Sequence, residues 1–331
     1  MRRRLALLVA LLLLTLLVLA VGPRAVLAEL AAAEPWPLVV GALGSLGALA
    51  AWSEAQRRLH WAAGASVPAP RFFRGYLVGV FGKQVLPGGQ IAGPAIVAYA
   101  VGRETDLPYE ADLAAATVGK LLGTLAAVVP VAVGLAVVAV PQTVARPAVV
   151  ALGVVTLGVV GVAGGVRARP DHLAAGFRRL GAVLHATLGR VSTHLRDRTT
   201  PEAVDATISR GRRTLGVVGA DRRALAVAYG FTAVGWGLYA VALWGAATAV
   251  GLALPLTVAL FVAPVASLGT LVPLPSGVGG VDLVLGALLV AFTGAGVATT
   301  AAAVLLYRVL VDVVPALAGA VAGLTAMGDE R

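Results

Sequence analysis

Apolar residues run through this chain in long blocks, and the polar residues collect between them. The first block covers residues 5–21, behind three arginines, and the second covers about 36–52. A third, 72–101, is interrupted in its middle at Pro87-Gly88-Gly89. Two unbroken blocks follow, about 113–140 and 147–166. After a long polar stretch come about 224–250, a second interrupted block over 255–292 and a last block over 297–324. A spanning helix needs roughly 20 consecutive apolar residues. The unbroken blocks approach or exceed that length, whereas each half of a broken block falls short. The pattern predicts an all-α polytopic membrane protein with about six full transmembrane helices and two re-entrant broken-helix hairpins, eight hydrophobic segments in all. A membrane β-barrel would alternate in pieces of about ten residues, and the chain shows no such alternation.

The first block is longer than the roughly 7–15-residue core of a signal peptide. It reads as a first helix; a signal cleaved after "VLA" at residues 26–28 is the alternative. The polar stretch 167–223 is rich in arginine, yet Leu173, Phe177, Leu180, Leu184, Leu188, Val191 and Leu195 recur at steps of three and four. That spacing lays one apolar face along a helix. "TTPEAV" then restarts a helix, with Thr200 as cap, Pro201 in the first turn and Glu202 near the dipole. The segment is therefore expected to be a pair of basic amphipathic helices.

Composition agrees with the pattern. Of 331 residues 59% are hydrophobic and 13% charged, against about 25% charged in soluble domains. The net charge of +10 belongs to basic cytoplasmic loops rather than to a nucleic-acid surface. The chain has no cysteine, which excludes thiol catalysis and thiolate metal sites. The four histidines, His60, His172, His185 and His194, form no H-E-x-x-H motif. There is no G-x-S-x-G elbow and no phosphate-binding loop. No cofactor, metal or catalytic residue is expected.

The two interruptions align. Leu86-Pro87-Gly88-Gly89 lies over Leu274-Pro275-Ser276-Gly277 at an offset of 188 (274 − 86), and the same offset sets Lys120 on Arg308. Paired breaks followed by paired cations predict an internal repeat in a single membrane domain. Repeat one covers about 36–166, the amphipathic pair about 167–223, and repeat two about 224–324.

Arginine and lysine collect in cytoplasmic loops. With the N-terminal arginines inside, the basic 57–74 connection is also inside. A single crossing by 72–101 would then place the arginine-rich 167–223 segment outside. A block that dips in and returns places it inside. The second broken block then enters from the outer face, and both termini are cytoplasmic. The repeats are inverted, an architecture in which broken helices present backbone to a substrate near the midplane. Such backbone survives at that depth only when buried in protein or lining a cavity. Pro87, Gly88, Gly89, Pro273, Pro275, Gly277, Gly279 and Gly280 supply it here.

A lysine or arginine deep in a bilayer costs on the order of 3 kcal/mol. Lys83, Lys120 and Arg308 must each recover that cost. Asp312 lies one turn beyond Arg308 on the same face. Asp282 follows the second break and is placed to neutralise a cation across the repeat interface. Lys120 has Thr117 and Thr124 for neighbours, and Lys83 has no acid near it in sequence. Three cations against two acids leave room for an anionic group, most simply a phosphate. Lys83, Lys120 and Arg308 are therefore expected to bind substrate, with Asp282 and Asp312 neutralising or gating.

"LPGGQIAGP" and "PLPSGVGGVD", followed by "LLYRVLVDVVPALAG", resemble the lysylphosphatidylglycerol synthase transmembrane (flippase) family over nearly the whole chain. In that family the second motif usually reads P-x-P-G-G-x-G followed by glutamate. Here Ser276 replaces the first of those glycines and Asp282 the acid. The resemblance implies a stand-alone member without the soluble aminoacyl-transferase domain, hence one that does not make lysylphosphatidylglycerol. It implies a flippase or transporter that moves an anionic phospholipid or a polyprenyl-phosphate-linked lipid between leaflets of a prokaryotic cell membrane. Expected partners are that lipid, the anionic inner leaflet beneath the basic helices, and a glycosyltransferase or a second copy of the chain. Two alternatives stay open. One is a membrane enzyme acting on lipid phosphates, which would need a positioned nucleophile or metal carboxylates. The other is a non-transporting partner that docks a membrane glycosyltransferase on its basic helices.

Overall fold

A computed structural model describes residues 23–86, 89, 92–138, 140–168, 201–271 and 279–329. The first apolar block, the first amphipathic helix and the break residues Pro87, Gly88, Pro273, Pro275 and Gly277 lie outside the described residues.

Helices α1 to α4 cover Pro23–Ala31, Pro35–Ala62, Ala69–Val85 and Gly93–Val101. Helices α5 to α8 cover Tyr109–Ala126, Val128–Val137, Gln142–Ala168 and Pro201–Ala220. Next come α9 (Arg222–Ala249), α10 (Leu256–Ser267, running into a 3₁₀ turn at Leu268–Leu271) and α11 (Gly280–Thr293). The chain closes with α12 (Val297–Arg308), a π-helical segment (Val309–Val313) and α13 (Val314–Asp329). Proline opens many of these helices. Pro35 is the first residue of α2 and Pro201 of α8, and Pro68, Pro108 and Pro255 immediately precede α3, α5 and α10. A first-turn proline sacrifices no hydrogen bond and has its φ already set for the helix. The Asp221 carboxylate caps α9 by accepting from the Ala224 N–H at 2.9 Å.

Among the described residues, five stretches are long and apolar enough to cross a membrane: Pro35–Ala62, Tyr109–Val137, Gln142–Gly161, Arg222–Ala249 and Val297–Ala326. The protein is an all-α polytopic membrane protein. Its outer surface is apolar, as Leu157 at 73% exposure on α7 illustrates. Ser45, Ser53, Thr232 and Thr300 are turned inward. Lipid offers no hydrogen bonds, so polar groups face protein.

Two sequence expectations need correction. The second span does not end at residue 52. It continues to Ala62, so Arg57, Arg58 and His60 belong to a helix and not to a connection. Glu54 holds both arginines one turn away, at 2.7 and 2.6 Å, which lets the helix carry them. The arms of the first hairpin are also unequal. The long one, α3, has 17 residues and reaches about 25 Å at 1.5 Å per residue. The short one, α4, has nine. The chain nevertheless turns back on itself. Gly75 lies against Val101, Gly79 against Val97 and Gly82 against Ile96, so the arms are antiparallel. An ion pair from Arg74 to Glu104 at 3.1 Å ties their outer ends together.

Helix starts recur along the chain. From α2 to α9 the step is 187 residues (222 − 35), and it is also 187 from α3 to α10 and from α4 to α11. From α5 to α12 it is 188 (297 − 109). The first of these pairs, α2 and α9, is the most extensively packed. Along α2, Gly41 meets Ala242, Gly44 meets Leu238 and Val241, and Trp52 meets Gly235. The partner number falls as the α2 number rises, so these two helices run in opposite directions. Glycine at Gly41, Gly44 and Gly245 allows the backbones to approach closely, as packing between helices in lipid favours. The outer helices exchange in the same reciprocal way. α6 packs on α10 through Gly134 and Phe261, and α13 packs on α3 through Gly319 and Leu77.

Candidate functional site

Arg308 ends α12 and faces the start of α11. Its Nε donates to Asp282 Oδ1 at 2.6 Å, and its Nη1 donates to Asp312 Oδ2 at 2.9 Å. Asp282 is the third residue of α11, and its Oδ2 accepts from the Gly279 N–H at 2.8 Å. Gly279 has φ +87°, a conformation that side chains other than glycine's resist, and this turns its N–H back onto the carboxylate. The pairing of Arg308 with Asp312 is the one that the sequence spacing predicts. Asp282 is used differently from the expectation. It pairs with Arg308 inside the second half of the chain, not with a lysine across the interface.

Asp312 lies in the π-helical segment, which sequence reasoning did not anticipate. Pro315 has no N–H to offer the carbonyl four residues back, Val311. The Gln84 amide, from the tip of the first hairpin, donates to that carbonyl at 3.4 Å. The widened turn thus joins the two halves next to the charges. Bulges of this kind are frequent at functional sites.

Lys83 occupies the last turn of α3, and its stem passes Gly93 at the start of α4. It lies within electrostatic range of Lys120 and of Asp312. Lys83 is half-buried. Lys120 keeps an exposed side chain although protein atoms crowd around it. Neither ammonium is ion-paired with a described residue. All five charged residues singled out in the sequence therefore gather in one region. Arg308 is balanced there by two carboxylates, and the lysines are the excess. Of the break residues, Gly89, Gly279 and Gly280 are described; the others are not.

An aromatic group binds the region together. Tyr307 precedes Arg308, and its ring lies 5.9 Å from Tyr239. Tyr239 meets Trp52 at 5.1 Å and Trp236 at 6.0 Å. Trp236 donates to the Gly123 carbonyl at 3.1 Å, one turn beyond Lys120. The helices that carry Lys120 and Arg308 are thus spaced by rings on α2 and α9.

The model of the family described as "Lysylphosphatidylglycerol synthase TM region" matches residues 4–319. The chain belongs to this family. No curated protein matches the sequence. Membership in this family points to a role with membrane lipid.

A second polar cluster was not visible in the sequence. His60 and Asp112 are both fully buried, with His60 Nε2 3.6 Å from Asp112 Oδ1. His60 Nδ1 is 2.8 Å from the Gln56 carbonyl, and the Thr105 hydroxyl is 3.0 Å from each Asp112 oxygen. In the sequence Asp112 reads as one acid of a polar loop. The fold instead carries it into the first turn of α5 and seals it there. The separation of His60 and Asp112 along the chain carries no signal.

Proposed function

We propose that this protein moves an anionic lipid, a phospholipid or a polyprenyl-phosphate-linked lipid, between the leaflets of a prokaryotic cell membrane, and that it acts as a transporter rather than an enzyme. The observation that carries the reading is the pair of ammonium groups, Lys83 and Lys120, within electrostatic range of each other and without a carboxylate contact among the described residues. Two cations within electrostatic range repel each other, and a phosphate between them would remove that repulsion while accepting charge-assisted hydrogen bonds. Asp312, within electrostatic range of Lys83, would give that lysine a carboxylate to fall back on after the phosphate leaves. Two inverted repeats, about 36–166 and 224–324, would open this region to one leaflet and then the other. The basic pair at 167–223 would rest on the anionic inner leaflet, with both termini cytoplasmic. Its second helix, α8, is tied to α5 by Arg210 and Glu110 at 2.7 Å.

The test is movement of a fluorescent phosphatidylglycerol in vesicles of phosphatidylcholine and phosphatidylglycerol containing the purified protein. Wild type should make the inner-leaflet label accessible to an external quencher. Lys83→Gln and Lys120→Gln should each slow this at least ~10-fold, the loss expected for one charge-assisted contact. Unchanged rates in both variants would refute the assignment.

A further inference from the structure

We propose that His60 and Asp112 form a binding site for one exchangeable proton, which closes the foot of the first hairpin. The site stands on its own geometry; its coupling to transport rests on the reading above. His60 lies in the last turn of α2, Asp112 in the first turn of α5, and Thr105 in the loop that leaves α4. Three segments therefore meet at one polar contact with almost no solvent exposure.

Counting donors fixes the ligand. His60 Nδ1 faces the Gln56 carbonyl at 2.8 Å, and a carbonyl only accepts, so Nδ1 carries a hydrogen. Nε2 then faces Asp112 Oδ1 at 3.6 Å and has no hydrogen-bond partner among the described residues. The carboxyl group receives the hydroxyl of Thr105, which has a single hydrogen to give. Without a further proton, a nitrogen lone pair would confront a buried carboxylate supported by one neutral donor. Such an arrangement is costly in a place without water. One proton, on either atom, converts the contact into a donor facing an acceptor.

The surroundings keep other solutions out. The Phe72 ring lies 5.0 Å from the imidazole, edge on. Gly102 makes room for the second carboxyl oxygen, where a Cβ would approach to 2.9 Å. Charged groups on the adjoining elements include Glu54, Arg57 and Arg58 on α2, Arg71 and Arg74 on α3, Arg103, Glu104 and the exposed Asp106 in the loop, Glu110 on α5, Asp205, Arg210, Arg212 and Arg213 on α8, and Asp221, Arg222 and Arg223 at the start of α9. Glu54 holds Arg57 and Arg58, Glu104 holds Arg74, and Glu110 holds Arg210. These carboxylates are already engaged.

The consequence is mechanical. The proton joins α2 to α5, the Thr105 hydroxyl joins α5 to the loop at which the first hairpin returns, and the far end of that hairpin carries Lys83. When the foot opens to water above about pH 6.5, the exposed pair gives up its proton, since free imidazole is then largely neutral and free carboxylate ionised. The closed foot holds one proton more than the open foot. Rising pH therefore favours opening, by up to about tenfold per pH unit.

Hydrogen exchange of the intact protein in detergent tests the site without reference to lipid. Amides over residues 102–116 are followed from pH 6 to pH 8.5 and corrected for intrinsic base catalysis. In wild type their corrected exchange should rise with pH. In Asp112→Asn, which mimics the protonated acid, it should be slow and flat. A wild-type slope in a monodisperse Asp112→Asn protein would overturn the proposal. His60→Gln is the second variant, should Asp112→Asn fail to fold. It should change the pH profile, and an unchanged profile would overturn the proposal equally. In the vesicle assay above, wild-type rates should vary with pH and Asp112→Asn rates should not. A wild type that moves no lipid but keeps the pH-dependent exchange would refute the transport reading and leave the proton site standing.

Discussion

Arg308 is held by two carboxylates, and this changes what its removal should do. Arg308→Gln strands Asp282 and Asp312 together. Removing one partner of a buried pair costs about 3–5 kcal/mol. The low end applies, because Asp312 keeps 28% of its side chain exposed. Melting of the detergent-purified variant should fall clearly below wild type. Adding Asp312→Asn should recover part of the loss, and adding Asp282→Asn as well should recover most of it. The lysines should behave oppositely. Lys83→Gln relieves repulsion from Lys120 and abandons no contacting acid, so the variant should melt no lower than wild type. A marked loss of melting temperature in Lys83→Gln would mean that this ammonium has a structural partner and is not waiting for a substrate.

At the scale of elements, the π segment is where the two halves of the chain are joined. Pro315→Ala supplies the missing N–H to the Val311 carbonyl. It also removes a proline, which costs about 3 kcal/mol within a helix. The variant should be no less stable than wild type. Yet Gln84 would now compete for that carbonyl, and the Asp312 side chain would rotate away from Arg308 as the turn tightens. Lipid movement should slow, and Gln84→Leu should slow it similarly; if neither does, the widened turn is architecture alone. Little of this is legible in the sequence. A proline in an apolar helix announces a lost hydrogen bond but not the donor that replaces it, and Gln84 lies far away in the chain. The hairpins are legible, because Pro87-Gly88-Gly89 interrupts a block too short to span twice. The unequal arms of the first one are not, since the start of α3 is set by Pro68 and Pro70 in a stretch that reads as polar connection. The gathering of Lys83, Lys120, Asp282, Arg308 and Asp312 follows from charges that lipid would not tolerate. The pairing of Asp282 with Arg308 depends on the φ of Gly279, which no spacing rule conveys. The burial of His60 and Asp112 depends on how α2 extends past its apolar block, and an arginine-rich sequence conceals that extension.

At the scale of the whole molecule, opposite orientation of equivalent helices has a consequence for sidedness. α2 and α9 are equivalent by position and run antiparallel, so whatever face the first hairpin enters from, the second should enter from the other. The ion pair from Arg74 to Glu104 adds an internal constraint, because it fixes both outer ends of the first hairpin on one side. The chain lacks cysteine, so single cysteines can report position without background. Cysteines at Arg71 and Asp106 should therefore share one fate with an impermeant thiol reagent in intact cells. That fate should be protection, together with a cysteine at Ser192 in the basic segment, if arginine-rich segments are cytoplasmic. A cysteine at Thr143, exposed at the start of α7, should label. Gly294 and Gly296, in the loop that follows α11, correspond to the loop that follows α4, and a cysteine at Ala295 between them should label as well. Labelling at Asp106 but not at Arg71 would mean that the first block crosses the membrane, and the inverted arrangement would be lost. Protection at Ala295 with the other four results intact would leave the first hairpin re-entrant and place the second on the same side, so that the two lysines and Arg308 would no longer face opposite leaflets in turn.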